Sequence, residues 1–249
     1  MPADHPLARS FGRDAAAYEA ARPEYPEAAV AWALAPLVPL AAARPRVADV
    51  GAGTGKLTRA LVRHGAEVVA VEPDEEMAAE LRAGLPGVET RLGSGESLPL
   101  ADAGFDAVAY GQAWHWVDGS AATAEAARVL RPGGVLALVW NTGDRRVEPV
   151  ARIQAIMGAP PSDRYLEAGV VAGPPFGPLE EAAFEWSSPI TAEGILDLAR
   201  SRSTFITASP GEQSRILREL RAMCGDLGLA DGGTIEFPHI TRVFRAIRA

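Results

Sequence analysis

The chain has 249 residues, enough for one α/β domain with a substantial core, and it contains a single cysteine, which excludes an internal disulfide. Its net charge of −8 and its dispersed basic residues argue against a nucleic-acid partner. Residues 1–22 lack the apolar core of a signal peptide, and no apolar run is long enough to span a membrane. We therefore expect a cytoplasmic protein, a monomer or homodimer, with no membrane partner.

The N-terminal 40 residues precede the first predicted strand. An amphipathic helix is predicted over 10–21, and a second helix runs from 27 to about 37. Between them lies the stiff run Arg22-Pro23-Glu24-Tyr25-Pro26. Because these residues have no place in a sheet, two hypotheses stay open: an aromatic staple that packs the first helix, or a segment that folds over a ligand.

The next segment, from Val47 to Leu57, is the most informative stretch of the chain. An apolar strand ends in Asp49 and three alternating glycines, and a helical pattern begins at once. Glycine lets the backbone turn sharply and lie against a ligand, while the helix directs its free N–H groups and positive dipole end toward the same place. The pattern predicts a loop that binds a nucleotide-type cofactor.

Two familiar loops do not match this spacing. A dinucleotide loop needs a third glycine where this chain has Lys56, and an ATPase phosphate loop needs a glycine at Val50 and a hydroxyl residue at Leu57. The remaining pattern, acid-x-Gly-x-Gly-x-Gly, suits a cofactor without a pyrophosphate. A glycine-rich turn without a ligand is the other interpretation, and the flanking strand and helix disfavour it.

A second buried strand, predicted over 67–71, ends at Glu72-Pro73-Asp74. In βαβ nucleotide-binding folds, an acid about 20 residues past the glycines accepts hydrogen bonds from ribose hydroxyls, which is the role we predict for Glu72. Met77 on the following helix either packs on an adenine ring or belongs to the core.

Further motifs follow in order. Gly93-Ser94-Gly95-Glu96-Ser97-Leu98-Pro99-Leu100 comes after a third strand. A fourth strand over 105–110 leads into Gln112-Ala113-Trp114-His115-Trp116, and Leu130-Arg131-Pro132-Gly133-Gly134 precedes a fifth strand. With these motifs the chain resembles the class I S-adenosylmethionine-dependent methyltransferases.

This resemblance implies a Rossmann-like α/β fold: a doubly wound, mostly parallel seven-stranded sheet with an antiparallel last strand and a helical lid. It also implies S-adenosyl-L-methionine as cofactor, with S-adenosyl-L-homocysteine as product. Ser94 stands where an acid is common, so contact with the adenine amine is expected to be weaker or to pass through Gly95 and Glu96. The cofactor-binding residues that we predict are Asp49, Gly51, Ala52, Gly53, Glu72, Pro73, Met77, Ser94, Gly95, Glu96, Gln112, Ala113, Tyr18 and Arg22.

A narrower similarity, to the trans-aconitate methyltransferase-like branch, rests on the N-terminal Phe11, Tyr18 and Arg22-Pro23-Glu24-Tyr25-Pro26, on the Gln112–Trp116 motif and on Ser201-Arg202-Ser203. It implies that Tyr18, Arg22 and Tyr25 fold over the cofactor mouth. It favours a small-molecule acceptor methylated at oxygen, with a carboxylate slightly preferred over a hydroxyl.

The alternation of strands and helices breaks after residue 142. Beyond it we predict a helix over 147–157, a loop-rich stretch over 158–178, a strand over 181–191, helices over 192–202 and 210–224, and an antiparallel strand over 233–248. We therefore predict a single domain over 1–249, divided into N-terminal helices (1–40), a cofactor-binding core (41–142) and a C-terminal part with lid helices and the last two strands (143–249).

Methyl transfer from a sulfonium depends mainly on positioning and desolvation. A carboxylate acceptor needs no base, whereas a hydroxyl or amine would need one that titrates near neutrality. His115 is the best candidate base, and a structural imidazole is its other interpretation. For the acceptor we predict contacts from Tyr25, Trp114, Trp116 and Arg202, where Arg202 either binds a substrate carboxylate or is a solvated arginine at a helix end.

No metal-binding or hydrolase motif is present in the sequence. The predicted function is S-adenosylmethionine-dependent methylation of a small molecule. The alternatives are an accessory protein that binds the cofactor without catalysis and, disfavoured by Lys56, a nicotinamide oxidoreductase.

Overall fold

A computed structural model describes residues 19, 21–37, 44–229 and 232–249. Most of the helix predicted over 10–21, together with Tyr18 and its predicted role, lies outside the described residues.

In the described part of the chain, seven strands form one sheet. Their order is β3-β2-β1-β4-β5-β7-β6, β1 to β5 pair in parallel, and β7 runs antiparallel to both of its neighbours. The predicted doubly wound, mostly parallel sheet with an antiparallel last strand is confirmed. The strand bounds are β1 Arg46–Val50, β2 Glu67–Glu72, β3 Glu89–Leu92, β4 Phe105–Gly111, β5 Leu130–Gly143, β6 Glu180–Thr191 and β7 Thr234–Ile247.

Nine α-helices accompany these strands in the described ranges, and none of the nine is both long and apolar enough to cross a membrane. Their bounds are α1 Glu27–Leu34, α2 Lys56–Arg63, α3 Glu75–Gly84, α4 Gly119–Val129, α5 Glu148–Met157, α6 Pro161–Ala168, α7 Ala192–Arg200, α8 Ser203–Ile206 and α9 Pro210–Asp226.

Two helices differ from prediction for reasons of backbone geometry. The stretch over 158–178 contains α6, which begins at Pro161, and proline is favoured at the first position of a helix because its missing N–H needs no partner there. The helix predicted over 192–202 ends earlier, at Arg200 of α7, and α8 begins only at Ser203, since Arg202 has an extended backbone with φ −88° and ψ 141°.

The central strands β1, β2 and β4 are almost entirely buried because helices cover both faces of the sheet. Neighbouring residues of a strand point to opposite faces. Thus Val47 packs with α1 and α2, whereas Ala48 faces the cluster that includes α4. A third apolar cluster joins α5, α7 and α9 to Phe237 of β7. These three helices, with α6 and α8, form the lid, and the site lies between the lid and the sheet.

Candidate active site

The main cavity lies at the carboxyl ends of the parallel strands, where the direction of strand order reverses between β1 and β4, the usual position for a ligand in such sheets. It encloses about 200 Å³ and extends from the glycine loop to the lid. Its walls include the following residues: Arg22, Gly51, Gly53, Glu72, Pro73, Met77, Ser94, Gly95, Glu96, Gln112, Ala113, His115, Trp116, Asn141, Gln154, Ser162, Asp163, Leu198, Arg202, Ser203, Phe237 and His239.

The glycine loop needs its glycines for two separate reasons. Gly51 has φ +66°, and a Cβ atom on it would lie 2.6 Å from the Cβ atom of Ala113. Gly53 has φ +57°, but a Cβ atom there would meet nothing within 4 Å. The first glycine thus allows the loop to contact the turn after β4, and the second leaves bare backbone that a ligand can approach closely.

Glu72 at the end of β2 is tied to this loop. Its carboxylate accepts the Gly53 N–H at 2.7 Å and the Asp74 N–H at 3.0 Å. Burial raises the pKa of Glu72 to about 7, although those two backbone donors oppose the shift. Asp74 in turn caps α3 by accepting the Met77 N–H at 3.1 Å, which sets Pro73 and Met77 on the cavity wall.

Asp49 lies beneath the loop, fully buried. Its Oδ2 atom accepts the Thr58 hydroxyl at 2.5 Å, while Oδ1 has no hydrogen-bond donor among the residues that the structure describes. Burial raises the pKa of Asp49 to about 7. Asp49 also lines a recess of about 50 Å³ beside the main cavity, together with Gly51, Ala52 and Gly53.

An unsatisfied carboxylate oxygen below bare backbone is a suitable partner for a cationic amino group, and Glu72 retains lone pairs for two hydroxyl groups. These donors and acceptors fit the aminoacyl and ribose parts of an adenosyl sulfonium. In 19, 21–37, 44–229 and 232–249, no cluster of His, Cys, Asp and Glu side chains could hold a metal ion.

The turn after β4 continues the wall. Gln112 has φ +56°, a conformation that is uncommon for a residue with a side chain and that occurs often at functional sites. Its backbone N–H donates to the Val139 carbonyl at 2.8 Å and its side-chain amide to the Asn141 carbonyl at 2.6 Å, which anchors the turn to β5. His115 and Trp116 follow on a short 3-10 helix and line the cavity.

Two predicted acceptor contacts require correction. Trp114 is only 1% exposed and packs edge-on against Tyr110 in the core, because the 3-10 helix turns its ring toward the sheet while His115 and Trp116 face the cavity. Tyr25 is also buried, among the residues that pack with α1 and α2. It contributes to the small recess and does not line the main cavity.

The described residues before α1, which are 19 and 21–26, form the N-terminal segment. Ion pairs that were not predicted from the sequence hold this segment over the glycine loop. Glu19 and Glu24 both pair with Lys56 and Arg59 of α2, at 2.9 to 3.3 Å. In the sequence, Lys56 served only to exclude a dinucleotide-binding loop. In the structure, its ion pairs bind this segment to α2. Arg22 extends the docking to the lid, since its guanidinium donates to the Ser201 carbonyl at 2.8 Å.

The last two strands and the lid contribute polar groups that belong to no sequence motif. His239 on β7 stacks on Trp186 at 4.4 Å, its Nε2 atom lies 3.0 Å from the Ser188 hydroxyl, and burial lowers its pKa to about 4. Asp163 forms an ion pair with Arg145, and burial raises its pKa. These residues come from distant parts of the chain, so only packing reveals them as neighbours.

Comparison with known proteins agrees with this geometry. The family profile described as "Methyltransferase domain" matches residues 48–138. An uncharacterized methyltransferase of Mycobacterium tuberculosis is 42% identical over 247 residues, covering 98% of this chain and 97% of that protein. A malonyl-[acyl-carrier protein] O-methyltransferase of Enterobacter lignolyticus is 36% identical over 122 residues, 49% of each chain.

Among solved structures, a protein of Anaeromyxobacter dehalogenans described as a type II methyltransferase is 26% identical, with a TM-score of 0.63. The alignment covers 91% of this chain and 97% of that one. The extent of these matches, together with the sheet order and the glycine loop, shows that the chain belongs to the class I methyltransferases.

Proposed function

We propose that this methyltransferase uses S-adenosyl-L-methionine to methylate an oxygen atom of a small molecule. The observation that carries the proposal is one continuous cavity that joins the Gly53 backbone and Glu72 to the lid residues Leu198 and Arg202. One end has the groups that an adenosyl sulfonium needs, and the other end has room for an acceptor. The bound cofactor would supply the electrophilic methyl group.

The residues of this chain would bind and orient the cofactor. Glu72 would accept hydrogen bonds from the ribose hydroxyls, and the Asp49 carboxylate would form an ion pair with the amino group of the cofactor. Pro73, Met77 and the segment Ser94–Glu96 would surround the adenine. Arg22 and the turn at Gln112 and Ala113 would close the site around the sulfonium and limit access of water, which strengthens the electrostatic interactions inside. The product would be S-adenosyl-L-homocysteine.

Oxygen is the proposed acceptor atom for two reasons. The name of the Enterobacter relative specifies O-methylation, and that relative matches half of this chain. In addition, the hydrogen bonding of His115 argues against its acting as the general base that a hydroxyl or amine acceptor would need. The indole N–H of Trp140, which can only donate, is 3.2 Å from Nδ1 of His115, so Nδ1 is the acceptor and the neutral ring carries its proton on Nε2. In this tautomer His115 is suited to donate a hydrogen bond to an acceptor that is already ionised.

Isothermal titration calorimetry with S-adenosylhomocysteine and with NAD tests the cofactor. We expect binding of S-adenosylhomocysteine alone; equal or tighter binding of NAD would contradict the proposal. Transfer of labelled methyl from S-adenosylmethionine to a panel of carboxylic acids and phenols then tests the reaction. Binding of the cofactor without turnover of any member of the panel would instead support an accessory protein.

A further inference from the structure

Arg202 is an unusual arginine, because it is buried on the cavity wall and no carboxylate among the described residues pairs with it. The residue is 8% exposed. Within the part of the chain that the structure describes, its guanidinium forms no ion pair, and its only hydrogen bond is a long one, 3.5 Å from Nη1 to the Gly158 carbonyl. A solvated arginine at a helix end, the second interpretation of the sequence, is thus contradicted by its burial.

The surroundings of Arg202 increase the free energy needed to keep its guanidinium charged. Burial, with repulsion from Arg22, lowers the pKa of Arg202 to about 10, so that the group remains a cation at neutral pH. Asp163 attracts it, but that carboxylate is already paired with Arg145. A buried guanidinium without a partner is expensive in free energy, and an anionic ligand would supply the missing charge and acceptors.

We propose that Arg202 binds a carboxylate of the acceptor, so that the substrate class is an organic acid with an apolar body. This inference rests on the proposed methyltransferase function and names its substrate class. The planar guanidinium matches a carboxylate with two parallel N–H···O bonds, and Ser203 and Ser162 on the same wall add hydroxyl donors. Leu198 and Phe237 give the neighbouring wall an apolar surface.

A carboxylate fits this site better than a phosphate. Asp163 lies on the same wall as Arg202, and its negative charge would repel a phosphate dianion more strongly than a singly charged carboxylate. The apolar wall also suits the hydrocarbon part of an organic acid. Phosphate is therefore the competing ligand that the experiment has to distinguish.

Thermal unfolding of the complex with S-adenosylhomocysteine tests the assignment. The probes are acetate, succinate and benzoate, each compared with its uncharged amide, and inorganic phosphate, all at constant ionic strength. At least one acid should raise the unfolding temperature in a saturable way while its amide does not. Arg202→Met should weaken the binding of that acid by about tenfold or more, and Arg202→Lys by less, because lysine keeps the charge but not the planar fork.

Arg164→Met is the matched control, because Arg164 is an exposed arginine on the lid helix α6 and its replacement removes the same charge. It should leave the response unchanged. Calorimetry with S-adenosylhomocysteine confirms that each variant is folded, and it also separates a failed cofactor assignment from a failed acid site. Equal responses to acid and amide, an unchanged response in Arg202→Met, stronger binding of phosphate, or no response to any of the three acids would each overturn the proposal.

Discussion

Asp49→Asn provides a quantitative test of how the loop carboxylate is used. The pKa of Asp49 rises from 3.8 to about 7 because the residue is fully buried. Each pKa unit corresponds to about 1.4 kcal/mol, so keeping this carboxylate ionised in the folded protein costs about 4 kcal/mol above pH 7. Asparagine has a similar shape, can still accept the Thr58 hydroxyl, and carries no charge to desolvate.

The sign of the effect follows from proton linkage. Between pH 4 and 7 the unfolded chain has released the Asp49 proton while the folded protein retains it, so the stability of the native protein falls as the pH rises through this window. Asp49→Asn removes that loss. We subtract the unfolding free energy of the original protein from that of Asp49→Asn, both without cofactor. This difference should increase by about 3 kcal/mol from pH 5 to pH 8.

Urea unfolding at pH 5 and pH 8 measures this difference. Asp226→Asn, which removes an exposed carboxylate at the end of α9, is the control. The same Asp49→Asn protein should bind S-adenosylmethionine at least tenfold more weakly in calorimetry, because it has lost the partner of the amino group. A stability difference that stays constant from pH 5 to pH 8 would refute the reasoning.

Three further variant pairs test the site. Gly51→Ala should abolish binding of S-adenosylhomocysteine in calorimetry, whereas Gly65→Ala, which has the same left-handed backbone but open space around it, should only reduce stability. Trp114→Ala should lower the unfolding free energy by about 3–5 kcal/mol, and Trp116→Ala should instead raise the KM for the acceptor. His115→Gln, which keeps a donor near the Nε2 position, should retain more turnover than His115→Asn; equal losses would indicate a base.

Much of the cofactor end could be predicted because its determinants are local. Alternating glycines after an apolar strand allow few backbone conformations, and an acid at the end of the next parallel strand must lie beside them. Gly51, Gly53 and Glu72 accordingly lie together on the cavity wall. The alternation of apolar and polar residues predicted β6 and β7 close to their observed bounds, because a half-buried strand directs neighbouring side chains to opposite faces.

The amino-acid sequence alone determined the sheet and the loop, since these follow from backbone preferences and from the period of apolar residues, and the resemblance of its motifs to a known family indicated the class of enzyme. The tertiary structure decided which side chains face the cavity. Neighbouring tryptophans take opposite roles at 114 and 116 because the turn is a 3-10 helix, and Arg202 loses water because α7, α8 and the segment around Gly158 enclose it. Burial and charge balance depend on residues that are distant in sequence, and no local pattern records them.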